Sequence, residues 1–96
     1  MQIQLVKFGT TLVFRERGRE AFKAYENRIH INDEDNIVVD FSGVITFSPS
    51  WGDEFLTPLH NKFGKKLILK NTENSSVKAS LNILSKTHSI EFQIEN

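Results

Sequence analysis

Ile37-Val38-Val39-Asp40-Phe41 is the stretch with the clearest fold signal in this sequence. Its three consecutive β-branched residues predict a strand that is covered on both faces, which is typical of the central strands of mostly parallel sheets. Leu67-Ile68-Leu69, which is flanked by lysines, predicts a further strand. We therefore expect a largely parallel sheet with the strand from Ile37 at its centre.

Helical periodicity occurs on both sides of these strands. From Arg15 to about His30, residues at helical spacing predict a helix with one buried face, formed by Gly18, Ala21, Phe22, Tyr25 and Ile29. Another helix is predicted after Asn74-Ser75-Ser76 and should end at His88 or Ser89. Its buried face is predicted to contain Val77, Ser80, Leu81 and Leu84.

The helix between these two has two possible starting points. Ser48 could be the N-cap with Pro49 at the first helical position, or Ser50 could be the N-cap with Asp53 three residues on in a capping box. Both registers leave the start of this helix rich in hydroxyl and carboxylate groups.

The same helix should run to Phe63 and end at Gly64, because glycine suits a left-handed cap. Gly52 lies in the middle of its apolar stripe and would let the helix lie close to the sheet. Pro58 falls within the pattern, and it should cost a backbone hydrogen bond or bend the helix.

The remaining strands are predicted from alternating polarity. Residues 2–8 predict a first strand, and residues 11–14 form either a return strand after a turn at Gly9-Thr10 or an extended lead-in. Residues 90–94 predict a final edge strand with one solvated face, and residues 32–36 and 42–47 are predicted to be loops. The order predicts an α/β fold in one domain, residues 1–96, with a four- to five-stranded, mixed but mostly parallel sheet and about three helices.

Composition limits the classes of function. Hydrophobic residues make up 39% of the 96 residues and charged residues 25%, with twelve basic residues balancing twelve acidic ones. The neutral net charge argues against nucleic-acid binding and for a protein partner, and the basic residues form only short clusters. No cysteine is present, and no stretch predicts a signal peptide or a membrane span, so we expect a cytoplasmic protein without membrane insertion.

Catalytic and metal chemistry find little support in the sequence. His30, His60 and His88 show no metal-ligand spacing, so we expect no metal site and no cofactor. Ser50 and His60 are ten residues apart on one predicted helix, which separates them by about 15 Å along the axis. Since nucleotide-binding and hydrolase motifs are also missing, we expect that the protein is not an enzyme.

The segment from Asp40 to Glu54 is the best candidate for a functional surface. Asp40 ends the predicted central strand, and ligands or partners of α/β sheets bind at such carboxyl ends. A phosphate on Ser48 or Ser50 would gain from the helix dipole, although Asp53 and Glu54 would oppose it. The simpler interpretation is that these residues only cap the helix.

This segment resembles the STAS superfamily, the fold of sulfate-transporter and anti-sigma-factor-antagonist domains. Within that superfamily it is most similar to the bacterial STAS-like family of unknown function. The resemblance rests on Asp40-Phe41-Ser42-Gly43-Val44 and Ser50-Trp51-Gly52-Asp53-Glu54, on Gly9-Thr10 with Arg15 before the first helix, and on the order of elements. The sequence departs from antagonists at Ser48 and Pro49, which stand where those have Asp-Ser, and at Trp51, which replaces a glycine.

The resemblance implies a non-catalytic regulatory module that docks on a histidine-kinase-like ATPase or a kinase. Ser50 lines up with the serine that is phosphorylated in antagonists. The indole of Trp51, which follows it, lies either at the edge of the core or on a contact surface. The alternative is a small-ligand or nucleotide sensor that uses the same crevice. The expected partner-binding residues are Asp40, Ser42, Ser48, Trp51, Asp53 and Glu54.

Overall fold

The computed structural model describes residues 1–28 and 36–96. The described strands are β1 (Gln2–Gln4), β2 (Thr11–Leu12), β3 (Ile37–Asp40), β4 (Thr46–Phe47), β5 (Leu67–Lys70) and β6 (Gln93–Ile94). The described α-helices are α1 (Arg15–Glu26), α2 (Pro49–Phe63) and α3 (Ser75–His88). Two 3-10 helices, Leu5–Phe8 and Gly64–Lys66, lie between these elements.

The main sheet has the strand order β1-β3-β5-β6, and each of its pairings is parallel. β3 is an inner strand, as predicted: Val39 is fully buried and pairs with Ile3 on one side and Leu69 on the other. The α/β fold with a four-stranded sheet is therefore confirmed, and the sheet, predicted to be mixed but mostly parallel, is parallel throughout. The pairings are parallel because a helix lies between each strand of this sheet and the next, and it returns the chain to the end of the sheet at which the previous strand began.

The N-terminal predictions need two corrections. The strand predicted over residues 2–8 ends at Gln4, because Leu5–Phe8 turn as a 3-10 helix and bring the Phe8 ring to 5.8 Å from the rings of Tyr25 and Phe55. Residues 11–14 do not return alongside β1, because β2 instead pairs in parallel with β4 in a separate two-stranded sheet.

The prediction that residues 42–47 form only a loop is wrong at Thr46–Phe47, which forms β4. This strand is too short to show periodicity, and contacts distant in sequence hold it, including the hydrogen bond from Ser48 N to Leu12 O at 2.9 Å. The final strand is confirmed as an edge strand, but it contains only Gln93 and Ile94, and both are exposed.

The helix predictions agree with the structure except at two ends. The first helix, predicted to run to about His30, ends at Glu26, and the third begins at Ser75 and not after Ser76. In α1, Gly18, Ala21 and Tyr25 are buried, whereas Ile29, His30 and the loop residues 32–35 lie outside the described residues. The predicted end of α2 at Phe63 is confirmed, with Gly64 after it at a φ of 54°. The predicted buried face and the end of α3 at His88 are confirmed as well, and Asn74 is its N-cap. Pro58 lies inside α2, where it cannot donate the usual backbone hydrogen bond.

Close packing at Gly52 is confirmed, but its neighbours are not the main sheet. A Cβ at this position would lie 2.8 Å from Cδ1 of Leu84 in α3 and 2.8 Å from Cζ of Phe47 in β4. A Cβ on Gly18 of α1 would likewise collide with the backbone oxygen of Trp51. The two glycines therefore let α2 approach α1, α3 and β4 closely.

Candidate functional site

Asp40 lies at the carboxyl end of β3 and is 8% exposed. Its Oδ1 accepts hydrogen bonds from Ser42 N at 2.9 Å and from Asn71 Nδ2 at 2.8 Å, and its Oδ2 accepts one from Gln2 Nε2 at 3.4 Å. Burial raises the pKa of Asp40, but the hydrogen bonds from Asn71 and Ser42 and the charge of Lys70 outweigh it, so the pKa lies below its ordinary value. The carboxylate at the end of β3 thus binds Gln2, the first residue of β1, and Asn71, the residue directly after β5.

The turn after Asp40 presents exposed residues. Gly43 adopts a φ of 86°, in the left-handed region that glycine tolerates, and Val44 N donates to Phe41 O at 3.0 Å. Ser42 is exposed, and Ile45 has 64% of its surface exposed despite its apolar side chain. A crevice of about 200 Å³ lies beside this turn and is lined by Phe41, Ser42, Gly43, Val44, Asn71, Glu73 and Asn74.

The two serines at the start of α2 have different roles. Ser48 Oγ donates to Val13 O at 2.6 Å and accepts from Trp51 N at 3.2 Å, so Ser48 is the N-cap and Pro49 the first helical residue. Ser50 is half-buried, and its hydroxyl makes no hydrogen bond to any residue of the described ranges 1–28 and 36–96. Of these two serines, Ser50 is therefore the one whose hydroxyl has no hydrogen-bond partner among the described residues.

Trp51 belongs to the core. It is 1% exposed, and its ring lies 5.1 Å from that of Phe55 and 5.9 Å from those of Phe8 and Phe47. Of the two sequence-based interpretations, core edge or contact surface, the structure supports the core. A partner cannot reach this indole without opening the fold.

Asp53 joins three helices through its carboxylate. Its Oδ2 accepts from Arg15 Nη1 at 2.9 Å, while its Oδ1 lies 2.7 Å from His88 Nε2 and 3.1 Å from Thr57 Oγ1. Burial raises the pKa of Asp53, but the hydrogen bonds from Arg15, His88 and Thr57 outweigh it and hold the pKa below its ordinary value. The Asp53 carboxylate is therefore ionised at neutral pH.

Glu54 forms a second set of contacts with α1. Its Oε1 accepts from Arg19 Nε at 2.8 Å, and its Oε2 accepts from Arg15 Nη1 at 3.3 Å. The Arg15 and Arg19 side chains are 44% and 54% exposed, so these pairs orient the helices more than they stabilise the fold.

The predicted segment thus divides between two cavities. Asp40 and Ser42 lie at the carboxyl end of β3, beside the crevice described above. Ser50 and Asp53 line a different pocket of about 200 Å³ at the start of α2, together with Arg15, Pro49, Ile83, Leu84, Thr87 and His88. Sequence reasoning missed His88 and the pairing role of Arg15, because these residues lie 35 and 38 positions from Asp53 in the chain.

Two further findings concern metals and membranes. Within residues 1–28 and 36–96, no group of three or more histidine, aspartate or glutamate residues is placed to hold a metal ion. No described helix has both the length and the apolar character needed to cross a bilayer.

Comparison with known proteins identifies the family. Neither the curated proteins nor the solved structures contain a match to this chain. The family model described as STAS-like domain of unknown function (DUF4325) matches residues 25–77, more than half of the 96 residues. The matched range contains β3, β4, α2 and β5, and with them the candidate residues from Asp40 to Glu54. This chain therefore belongs to the family of STAS-like domains of unknown function.

Proposed function

We propose that this domain is a non-catalytic, cytoplasmic regulatory module that docks on a protein partner through the exposed side chains of residues 42–54. The partner that the family resemblance favours is an ATPase of the histidine-kinase type, or a kinase. Ser50 is the position at which phosphorylation would regulate docking. The observation that carries the proposal is the free hydroxyl of Ser50, half-buried in a pocket with Arg15, Asp53 and His88.

The position of Ser50 suits a phosphoryl group. It is the second residue of α2, where the helix dipole favours negative charge. Arg15 and His88 line the same pocket and can donate charge-assisted hydrogen bonds to phosphate oxygens. Asp53 opposes the phosphate, because its carboxylate lies in the same pocket and already holds the Arg15 guanidinium.

This competition supplies a means of regulation. A phosphoryl group on Ser50 would compete with Asp53 for Arg15, whose Nη1 lies 2.9 Å from the carboxylate. Because Arg15 begins α1, a change of its partner alters the surface shared by α1 and α2. Phosphorylation therefore changes both the charge and the shape that a partner meets.

Exposed apolar side chains support docking near the same segment. Ile45 is 64% exposed on the turn before β4, and Val6, 38% exposed, packs beside Gly43 of that turn. Ile83 of α3 is 48% exposed and lines the Ser50 pocket. Apolar side chains set among polar residues are typical of protein interfaces. The docking surface, as we define it, consists of Ser42, Ile45, Ser50, Ile83 and the exposed edges of Asp53 and Glu54.

The alternative, a small-ligand or nucleotide sensor, has less support. The crevice at the carboxyl end of β3 has a volume of about 200 Å³, below the range of roughly 300–1,000 Å³ usual for small-molecule sites. The charged residue that lines this crevice is Glu73, and Asp40 at the end of β3 already accepts hydrogen bonds on both carboxylate oxygens.

Affinity purification from the source cells tests the proposal, with an Ile45→Asp variant compared against an Ile94→Asp control. Both isoleucines are more than half exposed, but Ile94 lies on β6, away from residues 42–54. We expect the wild type and the control to retain a partner with an ATPase or kinase domain, and Ile45→Asp to lose it. Retention of every partner by Ile45→Asp would contradict docking at this surface.

Mass spectrometry of the native protein tests the Ser50 switch separately. We expect a phosphopeptide that contains Ser50, and a Ser50→Glu variant with altered partner binding. Ser75→Glu is the matched control, because Ser75 is an exposed serine in the first turn of α3. An unmodified Ser50 in cells that contain the purified partner would remove the switch and leave the docking proposal standing.

A further inference from the structure

The three described α-helices lie on one face of the main sheet. The strand order β1-β3-β5-β6 follows the order of these strands along the chain, and an α-helix lies between each of them and the next. Right-handed crossovers that all step in the same direction place their helices on the same side of a sheet. Ile3, Val39 and Leu69, each 0% exposed, mark the face that the helices cover.

The opposite face of the sheet is open. Because successive side chains of a strand point to opposite faces, the neighbours of these three buried residues lie on the open face. Val38 of β3 and Ile68 of β5 are half-buried there. The glutamines of the two edge strands are exposed, namely Gln2, Gln4 and Gln93. Parallel sheets usually have both faces covered, whereas no described α-helix covers this one.

The side chains of the open face form two rows across the sheet. The register of the strand pairs gives the first row, which consists of Gln2, Val38, Ile68 and Gln93. The second row consists of Gln4, Asp40, Lys70 and Glu95. Glu95 continues this row beyond β6, because Glu95 N donates to Leu69 O at 2.8 Å. The centre of the first row is therefore apolar, and the centre of the second is a pair of opposite charges.

These two rows are complementary to themselves about a two-fold axis that runs parallel to the strands, between β3 and β5. Such an axis lays β3 of one copy over β5 of a second copy and keeps each row opposite itself. Val38 then meets Ile68 of the second copy, and Asp40 meets Lys70 of the second copy. Glu95, at the rim, lies opposite Gln4 of the second copy.

A two-fold axis across the strands does not give this match, because it lays each strand over its own copy. Through the second row, it would set Lys70 over Lys70 and Asp40 over Asp40, and like charges directly opposite each other are unfavourable. Between the rows, it would set these charges over Val38 and Ile68. The pattern of side chains therefore favours the axis along the strands.

We propose that the open face is the contact surface of a homodimer, in which two copies of this chain pack their sheets face to face about the axis along the strands. Four strands at a spacing of roughly 4.8 Å, with about four residues each, give a face of about 250 Å² per copy. Standard interfaces bury about 800 Å² per partner, so this dimer is weak and reversible. The open face shares no residue with the docking surface, and both copies keep that surface free. The proposal therefore does not depend on docking through residues 42–54.

Sedimentation equilibrium of the full chain over about a hundredfold range of concentration, up to about 1 mM, tests the proposal. We expect the average mass to rise with concentration toward twice the mass of one chain. A mass that stays at one chain over the whole range would overturn the proposal.

Gln4→Lys and Gln4→Glu form the matched pair for the same measurement. Gln4 is exposed, and the proposed axis places it opposite Glu95 of the second copy. Because each substitution occurs twice in the dimer, we expect Gln4→Lys to tighten association about fivefold and Gln4→Glu to weaken it about fivefold. Addition of Glu95→Lys to Gln4→Lys should cancel the gain. Asn61→Lys, at an exposed position of α2, is the control for added charge and should leave association unchanged. Equal association by the two Gln4 variants would overturn the proposal.

Cysteine cross-linking tests the direction of the axis, since the chain has no cysteine of its own. The proposed axis sets Gln2 of one copy opposite Gln93 of the other, whereas the two Gln2 positions lie about three strand spacings, roughly 14 Å, apart. A short bis-maleimide should therefore cross-link a mixture of Gln2→Cys and Gln93→Cys chains and leave each variant alone largely as single chains. Equal cross-linking of Gln2→Cys alone would overturn the proposal. A dimer that Ile45→Asp abolishes and the Gln4 variants leave unchanged would place the contact at the docking surface and would also overturn it.

Discussion

His88 Nε2 at the end of α3 lies 2.7 Å from Asp53 Oδ1 in α2, and the other oxygen of the same carboxylate accepts from Arg15 at the start of α1. One carboxylate thus contacts side chains from three helices. Because these contacts surround the Ser50 pocket, they fix the surface at which we propose regulation. Their strength can be measured through the acid stability of the domain.

Lowering the pH should destabilise the domain through Asp53 and Asp40. The pKa of each carboxyl is lower in the folded chain than its ordinary value, so the unfolded chain binds protons first as the pH falls. The stabilisation is fully present above the unfolded value, about 3.9, and is lost as the pH falls through the lower folded values. Urea unfolding between neutral pH and pH 3 should show this loss.

Asp53→Asn should flatten this acid dependence, because the variant carries no proton-binding group at that position. Its free energy of unfolding at neutral pH should fall by about 1 kcal/mol, as the charge-assisted bonds weaken. Glu73→Gln is the control, because Glu73 is an exposed carboxylate of the described surface. An acid dependence equally steep in Asp53→Asn and in wild type would show that Asp53 does not couple to protons.

Asp40→Ala should be more damaging than a surface substitution. The carboxylate is 8% exposed, and its loss leaves Ser42 N and Asn71 Nδ2 without their acceptor. We expect the free energy of unfolding to fall by about 1.5–3 kcal/mol, measured by urea unfolding at neutral pH. Glu73→Ala should change it by less than about 0.5 kcal/mol. Equal losses of stability in the two variants would show that the hydrogen bonds accepted by the Asp40 carboxylate do not stabilise the fold.

The two serines at the start of α2 should separate stability from regulation. Ser48→Ala removes both the cap of Trp51 N and the bond to Val13 O, so we expect a loss of about 1 kcal/mol in the free energy of unfolding. Ser50→Ala removes a hydroxyl without a described partner and should change stability by less than about 0.5 kcal/mol. Thermal and urea unfolding of both variants measure the difference. A larger loss for Ser50→Ala would show that Ser50 is the structural serine.

The sequence predicted the parts of the fold that follow from local periodicity. The strand at Ile37, the buried face of α1 and the C-terminal end of α3 depend on residues close together in the chain, and all three agree with the structure. Neither the strand β4 nor its pairing with β2 could be predicted, because long-range bonds such as that from Ser48 N to Leu12 O hold the two strands together.

The candidate site was predicted only in part for the same reason. The order of residues identified Ser50 and Asp53 as candidates, since both stand at a helix start. It could not place Trp51, because an indole beside an apolar stripe fits either a core or an interface, and only the packing against Phe55 decides between them. His88 was expected only as a helix end, whereas the fold brings it to Asp53.

Gly52→Ala should show how closely α2 must approach its neighbours. The added methyl would lie 2.8 Å from Leu84 Cδ1 and 2.8 Å from Phe47 Cζ, and Phe47 is itself fixed by the ring of Trp51. Alanine normally stabilises a helix relative to glycine, by about 1 kcal/mol, but overpacking of a core typically costs about 1–3 kcal/mol. We therefore expect a net loss of stability in urea unfolding, whereas Asn61→Ala, at an exposed position of α2, should be neutral or slightly stabilising. A more stable Gly52→Ala variant would mean that Leu84 moves aside at little cost and that this contact does not require glycine.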